Sequence, residues 1–328
     1  MQNKATTYLR PLRLWLGSLG LSPAILICIL ALALAPIFVR EAYIVRLLAV
    51  SLLFGALAMA FDFTGGFINA VNFGFAGFVG LGAYTSALIT VRLGISPWIG
   101  LIAAALVTGL VGMFTGMLTL PLRGIYVSLM SWFVGLALMA LANAMVDLTR
   151  GARGLIVPPL FDAATTVAHL YILLVLTVLL YIGLRLIIRS RVGLAFRAIG
   201  QNYDAARASG VNPTLYKVLN FSLSCTVAGL LGGYYGHFVG ILTPDLMDTW
   251  HTMEVMALAY IGGAGSLLGG VFAAFLLIPL FDSLKSLMEY RLIIYGLSLV
   301  LIMIFYPAGL AGLYQFVSNK FEKWRRKS

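Results

Sequence analysis

Hydrophobic positions in this chain form long unbroken runs rather than periodic stripes. Nine stretches are almost free of charge: Leu14–Val39, Ala42–Phe61, Phe63–Val91, Trp98–Leu120, Gly124–Val146, Ala163–Leu184, Val218–Pro244, Val255–Phe281 and Leu292–Asn319. Arg46 is the single Asp, Glu, Lys or Arg inside them. A helix needs about 20 apolar residues to cross the hydrocarbon core of a bilayer, so each run predicts a span or part of one. The alternation of a membrane β-barrel is absent from the pattern. Helices are the other structure that satisfies its own backbone in lipid. The prediction is an all-α integral membrane protein with about 9–10 transmembrane helices or half-helices.

Two of the runs are interrupted by glycine. Val255–Phe281 carries Gly262, Gly263, Gly265, Gly269 and Gly270, and Phe63–Val91 carries Gly65, Gly66, Gly74, Gly77, Gly80 and Gly82. One such run in each half suggests an inverted repeat whose broken helices meet near the bilayer midplane, where transporters place their binding region. The competing reading is that glycine lets neighbouring helices pack closely. No polar segment is long enough to fold alone. Residues 1–328 therefore read as one membrane domain with halves at 14–146 and 163–319, and with a loop at 189–217 between two spans.

Composition agrees with the pattern. Hydrophobic residues make up 61% of the chain and charged residues 10%, whereas a soluble domain carries about 25% charged residues. The formal net charge of +11 would suggest a nucleic-acid partner in a soluble protein. Here it reads as topology, because cytoplasmic loops collect Lys and Arg, and no nucleic-acid partner is expected. Residues 1–20 carry Lys4, Arg10 and Arg13 and no acid, so the N-terminus is expected in the cytoplasm, followed by an uncleaved first span. The 189–217 loop holds Arg189, Arg191, Arg197, Arg207 and Lys217 against Asp204, and six runs precede it, which also places it inside. Asp147, Arg150, Arg153 and Asp162, and the acidic 243–254 segment, fit the outside. The basic tail around Lys320–Lys327 demands the cytoplasm as well. Nine simple crossings forbid that, so one long run must be two short passes or a re-entrant hairpin. Val255–Phe281 is the best candidate.

Catalytic chemistry is missing from the pattern. His169, His237 and His251 have no carboxylate or cysteine at metal-ligand spacing. There is no phosphate-binding G-x-x-x-x-G-K-[ST] loop. Gly263-Ala264-Gly265 with Gly269 lies in a lipid-length run without a preceding strand, which excludes a dinucleotide turn. Cys28 and Cys225 read as small buried hydrophobes. No metal or cofactor is expected on this chain. An intramembrane enzyme would need a nucleophile with a His or carboxylate partner at depth, and the runs offer none.

The most specific local signal lies in the 189–217 loop. It reads Arg197-Ala-Ile-Gly-Gln-Asn-Tyr-Asp-Ala-Ala-Arg-Ala-Ser-Gly-Val-Asn-Pro213. Asn202 is an N-cap for a short helix over Asp204–Ser209, Gly210 supplies a stop, and Pro213 forbids continuation. Asp204-Ala205-Ala206-x-x-x-Gly210 resembles the Glu-Ala-Ala-x-x-x-Gly loop of the permease subunits of bacterial ABC importers, with Asp in place of Glu. Asn72–Tyr84, Arg123–Tyr126, Leu148–Leu155 and Gly262–Gly269 are similar, in order, to segments of the branched-chain amino-acid (LivM/LivH-type) branch of that family. The resemblance covers roughly 40–310.

That resemblance implies a permease subunit in a bacterial inner membrane. Its loop would form a coupling helix seated in an ATPase subunit, with Arg197, Gln201, Asn202, Asp204, Ala205, Ala206, Arg207 and Gly210 as the contact set and Ala205 and Ala206 small enough to enter a groove. It also implies a second homologous permease subunit and an external substrate-binding protein, with ATP and Mg bound by the ATPase partners. LivM-type relatives carry branched-chain amino acids, urea, short amides or aromatic acids, and the residues do not separate these. Polar groups inside spans usually face the bundle interior, which nominates Asn69, Asn72, Tyr84, Thr85, Ser86, Tyr260 and Ser266 for the pathway. Interhelical hydrogen bonding is the other role open to them. Arg150 and Arg153 are candidates for docking the binding protein, and Arg46 is placed to snorkel to the interface. The alternative function is an ion-gradient-driven secondary transporter or channel, which calls for charges buried mid-span.

Overall fold

The computed structural model describes residues 23–39, 41–122, 124–161 and 165–283, together with 296, 297, 300, 309, 310 and 312. The basic N- and C-terminal segments, Arg123, Asp162 and almost all of the run Leu292–Asn319 lie outside the described residues. The described helices are α1 (Pro23–Phe38), α2 (Ala42–Gly65), α3 (Phe75–Leu93), α4 (Pro97–Leu118), α5 (Ile125–Ala144), α6 (Val146–Thr149), α7 (Thr166–Arg189), α8 (Arg191–Gln201), α9 (Tyr203–Ala208), α10 (Pro213–Val239), α11 (Thr249–Gly262) and α12 (Gly269–Ser283). Six of these, α2, α3, α4, α5, α7 and α10, are long and apolar enough to cross a membrane. The chain is an all-α integral membrane protein.

The bundle has two distinct ends. α7 has 24 residues, about 36 Å at the helical rise, and separates them. At one end lie α8 and α9. At the other lie α6 and a two-residue antiparallel ribbon, β1 (Leu155–Ile156) paired with β2 (Ile241–Leu242) in the register Leu155↔Leu242. The core sits between α2 and α10, where Leu52, Leu53, Met59, Phe61, Phe63, Phe221, Leu231 and Tyr234 are almost fully buried. The outward faces of α4 and α7 remain apolar, with Ile102, Leu106, Leu110, Val175 and Leu179 exposed. That is the surface expected of helices solvated by lipid.

The glycine-rich run Val255–Phe281 is a helical hairpin. α11 has 14 residues and α12 has 15, about 21–23 Å each, short of the roughly 30 Å hydrocarbon core. Both arms start and finish at the ribbon end of the bundle: the Tyr43 hydroxyl at the start of α2 donates to Asp282 at the end of α12, and Tyr43, Arg46, Glu254 and Asp282 line one cleft. The tip, Gly263–Leu268, lies near the opposite end of α2. Two glycines make the turn narrow, since a β-carbon on Gly262 would stand 2.1 Å from the carbonyl carbon of Gly269.

The first-half run is arranged differently from its reading. α2 continues through Asp62 to Gly65, the backbone then runs without regular structure from Gly66 to Gly74, and α3 begins at Phe75. The break is confined to 66–74. Gly77, Gly80 and Gly82 are helical and serve close packing, as the second reading of the glycines had it: each lies where a β-carbon would strike Gly135, Met247 or Gly229. Pro213 does more than stop α9, because it opens α10 as its first residue, a position where a missing N–H costs nothing. α10 therefore starts five residues before the predicted span and contains Lys217. Cys225 is buried, but Cys28 is exposed on α1, contrary to expectation.

Candidate functional site: a surface segment joined to the hairpin tip

The α8–α9 segment is built from consecutive local signals. Ser190 Oγ accepts from Val192 N at 3.2 Å and starts α8. Asn202, with extended backbone, ends α8 and caps α9, its Oδ1 accepting from Asp204 N at 3.1 Å and Ala205 N at 3.0 Å. The exit from α9 pairs Val211 N with Ala206 O and Gly210 N with Arg207 O, each at 3.1 Å. That pair of bonds is a Schellman motif, and it needs a left-handed residue at Gly210, whose φ is 83°. Asn212 Oδ1 then accepts from Leu215 N at 3.3 Å to open α10.

Most of this segment faces outward. Arg197, Gln201, Asn202, Asp204, Ala205, Arg207 and Gly210 are exposed. Ala206 is not: its side chain is 4% exposed and packs into the chain's own core. The small residue presented at the surface of α9 is Ala205, which corrects the reading that paired both alanines as groove-fillers. The geometric cause is the seating of α9 against α8 and α10, which turns one position of this short helix inward.

The inner face of the segment grips the break after α2. Phe196 is fully buried, with its ring edge-on to Phe63 at 5.7 Å. The Arg197 guanidinium lies 5.8 Å from the Phe67 ring, within cation–π range. Asn69 Nδ2 donates to Gly200 O at 3.0 Å, and Asn69 holds a left-handed φ of 57°. A β-carbon on Gly200 would stand 2.4 Å from Phe67 O, so backbone meets backbone at that point.

One helical turn back along α2 lies Asp62. It is 4% exposed, and its two carboxylate oxygens accept from the hairpin tip, Oδ1 from Gly265 N at 2.7 Å and Oδ2 from Leu267 N at 3.0 Å. Buried backbone N–H groups must find partners, and the tip obtains them from this side chain. Gly66 completes the contact, since a β-carbon there would stand 2.2 Å from Gly265 N. Gly309 also reaches the tip, beside Gly263. A continuous set of contacts thus runs from α8 through residues 63–69 to Asp62 and the tip at 263–268. Asp62 escaped the sequence reading, where it served only as the divider between two apolar runs.

The remaining nominated residues do not converge on one point. Asn69 lies against α8. Asn72 is buried and its Oδ1 accepts from Gly74 N at 3.1 Å. Near the ribbon end, Tyr84 OH donates to Leu242 O at 3.4 Å, Thr85 Oγ1 donates to Leu81 O at 2.7 Å, and Ser86 Oγ lies 2.8 Å from His237 Nε2. Ser266 Oγ accepts from Gly269 N at 3.0 Å inside the tip, and Tyr260 packs its ring on Phe61 at 6.4 Å. Asn69, Tyr84 and Ser86 tie distant elements together, as the second of the two roles read for this set had it, whereas the bonds given for Asn72, Thr85 and Ser266 are local. Arg150 and Arg153 are exposed beside the ribbon, with Arg150 in a left-handed turn at φ 61°. His251 lies in the first turn of α11, 3.5 Å from Glu254, a carboxylate contact that the spacing reading overlooked. Lys217 belongs to the interior, with Nζ donating to Thr119 O at 2.8 Å and Leu122 O at 3.1 Å after the end of α4. A cation there satisfies carbonyls that the helix leaves open.

Known proteins share this sequence pattern. The chain is 26% identical to the high-affinity branched-chain amino acid transport system permease protein LivM of Salmonella typhimurium, over 90% of this chain and 76% of that protein. It is 24% identical to the corresponding LivH protein of Escherichia coli K12, over 79% of this chain and 91% of the relative. It is 28% identical to the autoinducer 2 import system permease protein LsrC of Yersinia pseudotuberculosis, over 64% and 62% respectively. No solved structure matches. The family model for the permease component of branched-chain amino acid transport systems matches residues 43–304, which takes in α2 to α12 with both broken segments and the α8–α9 surface. The chain therefore belongs to the family of branched-chain amino acid transport system permease components.

Proposed function

We propose that this chain is a permease subunit of an ATP-driven importer of small polar solutes, branched-chain or other amino acids first among them. The observation that carries the reading is the continuous contact from the exposed α8–α9 segment, through Phe63, Phe67 and Asn69, to Asp62 and the hairpin tip. A partner ATPase that moves α9 would thereby move the tip of a broken helix deep in the bundle. Two packed arrangements of such an element expose a pathway to opposite sides in turn. Within this proposal α8 and α9 face the cytoplasm of a bacterial cell, with ATP and Mg on the partner. The pathway is shared with a second permease subunit, and a soluble binding protein delivers the solute at the ribbon end. Co-expression tests the reading: the chain should co-purify with an ATPase subunit whose hydrolysis rises when loaded binding protein is added. Transport that runs without any ATPase partner would reject it.

Two further expectations follow. With α11 and α12 returning to the ribbon end, one crossing by the run Leu292–Asn319, expected from its sequence alone, would make the count even and put both termini in the cytoplasm. A cysteine at position 326 should resist membrane-impermeant labelling of intact cells, and rapid labelling would reject the even count. At the ribbon end, reversing both charges in Arg150→Glu/Arg153→Glu should weaken docking of the binding protein by about tenfold or more at low salt and by less at high salt, as expected of exposed charge pairs. Equal docking at low salt would show the two arginines to be solvated charges and nothing else.

Asp62 favours a second reading, an ion-gradient-driven transporter, because such proteins bury carboxylates in their spans. Both Asp62 oxygens accept from tip amides, which gives the carboxylate a structural use. Uptake that collapses with the proton gradient while ATP is held constant would favour this second reading.

A further inference from the structure

We infer that the groove between α1, α7 and α12 is a binding site for one anionic phospholipid, with an acyl chain between the helices and the phosphate at Arg185. The groove holds about 390 Å³ and its walls are apolar, with Cys28, Leu174, Val178, Leu268 and Phe272 among them. It opens on the lipid-facing side of the bundle, flanked by exposed Leu30, Val175 and Leu179. An apolar cleft facing lipid is filled by hydrocarbon as a matter of course, so volume alone specifies nothing. Three further observations give this one chemistry.

Along α7 the residues facing the groove step down one stripe: Leu174, Thr177 and Val178, then Tyr181. Arg185 follows at the next turn. It lies four residues before Arg189, where α7 ends at the α8 side of the bundle, about 6 Å inside the helix terminus and so at headgroup depth. The Arg185 guanidinium donates to the Tyr181 hydroxyl and lies 5.4 Å from the Tyr181 ring. Its Nε is buried without a hydrogen-bond partner. No carboxylate of a described residue lies within ion-pair reach of it. A partly buried guanidinium without a counter-charge among the described residues is costly. A phosphate supplies two acceptor oxygens spaced to pair with the planar guanidinium fork of arginine.

The third observation is Thr177. It is 5% exposed and lines the groove, and its hydroxyl is buried without a partner. In helices such a hydroxyl commonly bonds the carbonyl four residues back, as Thr85, Thr108 and Thr115 do here. Thr177 stands two turns above Arg185, about 12 Å along the axis. A glycerophospholipid carries its ester carbonyls between its phosphate and its acyl chains, in the same order in which Arg185, Thr177 and the apolar walls occur. The leaflet expected at this end is the cytoplasmic one, which is rich in anionic lipid and attracts basic residues near the helix ends.

The test uses the full chain purified with its co-expressed partners. Native mass spectrometry against added phosphatidylglycerol and phosphatidylcholine should show phosphatidylglycerol retained about tenfold over phosphatidylcholine, the scale of one charge-assisted contact. Arg185→Gln should bring the two lipids to parity, and Arg185→Lys should keep part of the preference. A measurement on the wild type guards against misfolding of the variants: phosphatidylglycerol with a photoactivatable acyl chain should cross-link to the Cys28 and Val178 walls. Equal retention of both lipids by the wild type would overturn the proposal, as would a preference that survives Arg185→Gln. So would cross-links that miss the groove, the outcome expected if other residues of this chain fill it.

Discussion

Asp62→Ala is expected to leave a chain that inserts in the membrane but transports at least tenfold more slowly, with the hairpin tip detached. The side chain supplies the acceptors for Gly265 N and Leu267 N in a region excluded from solvent. Hydrogen bonds to a charged group contribute about 1.5–3 kcal/mol each, and a buried donor left without a partner carries a desolvation penalty of about 1–3 kcal/mol. Two such losses together amount to about 2–6 kcal/mol at the tip. The hydrogen bonds of this carboxylate among the described residues go to the hairpin tip and not from one span to another, so insertion should survive. Asp62→Asn provides the graded control: its single carbonyl oxygen accepts one bond and should leave an intermediate defect. Thiol-accessibility of a cysteine at Ser266 reads tip detachment directly, and proteoliposome uptake reads the transport loss. An alanine variant with a protected tip and normal uptake would show that Asp62 does not hold the hairpin.

The second large effect is expected at the outer surface of α9. Ala205→Trp places an indole on the exposed face of the helix, while Gly210→Val forces a β-branched residue into a left-handed turn at φ 83°. Overpacking at a close interface costs about 1–3 kcal/mol, which is about 5- to 150-fold in partner affinity. The glycine change acts through the backbone, at about 1–3 kcal/mol, because no atom lies within 4 Å of the position its β-carbon would take. Ala205→Trp should therefore abolish co-purification of the ATPase, and Gly210→Val should reduce both co-purification and substrate-stimulated hydrolysis. Enlarging Ala206 is a different experiment. Its methyl lies in the chain's own core, so Ala206→Leu should lower the stability of the permease itself. Wild-type stimulation in both surface variants would reduce α8–α9 to a connector.

These effects were legible in the sequence to different degrees, and the reason is the range of the interactions. The α9 cap and stop could be read because Asn202 and Gly210 act within four residues of the backbone they serve. The hairpin could be inferred from the length of Val255–Phe281 and its glycines, since neither half of the run is long enough to cross. Asp62 could not be read in the same way. By hydropathy a lone acid between two apolar runs looks like a loop, and its partners lie 203 and 205 residues further on. Lys217 was counted with the surface cations for the same reason, although the carbonyl it meets at Thr119 is 98 residues away. The inward turn of Ala206 is set by tertiary docking of a six-residue helix, which has too few positions for a hydrophobic period to declare its buried face. The polar residues Asn72, Tyr84 and Ser86 were visible as intramembrane polar groups, but their use as internal ties follows from packing alone.

The central claim is that movement of the α8–α9 segment reaches the hairpin tip through residues 63–69. It is tested most directly by cutting that link while leaving the partner surface intact. Gly200→Val puts a side chain against Phe67 O, and Asn69→Ala removes the bond to Gly200 O without adding bulk; neither alters the exposed face of α9. The measurement is the number of solute molecules imported per ATP hydrolysed by the reconstituted complex. The account predicts normal ATPase co-purification in both variants and a transport-to-hydrolysis ratio lowered about tenfold or more in Gly200→Val, with a smaller loss in Asn69→Ala, on the scale of one hydrogen bond. An unchanged ratio in a Gly200→Val complex that assembles normally would contradict it.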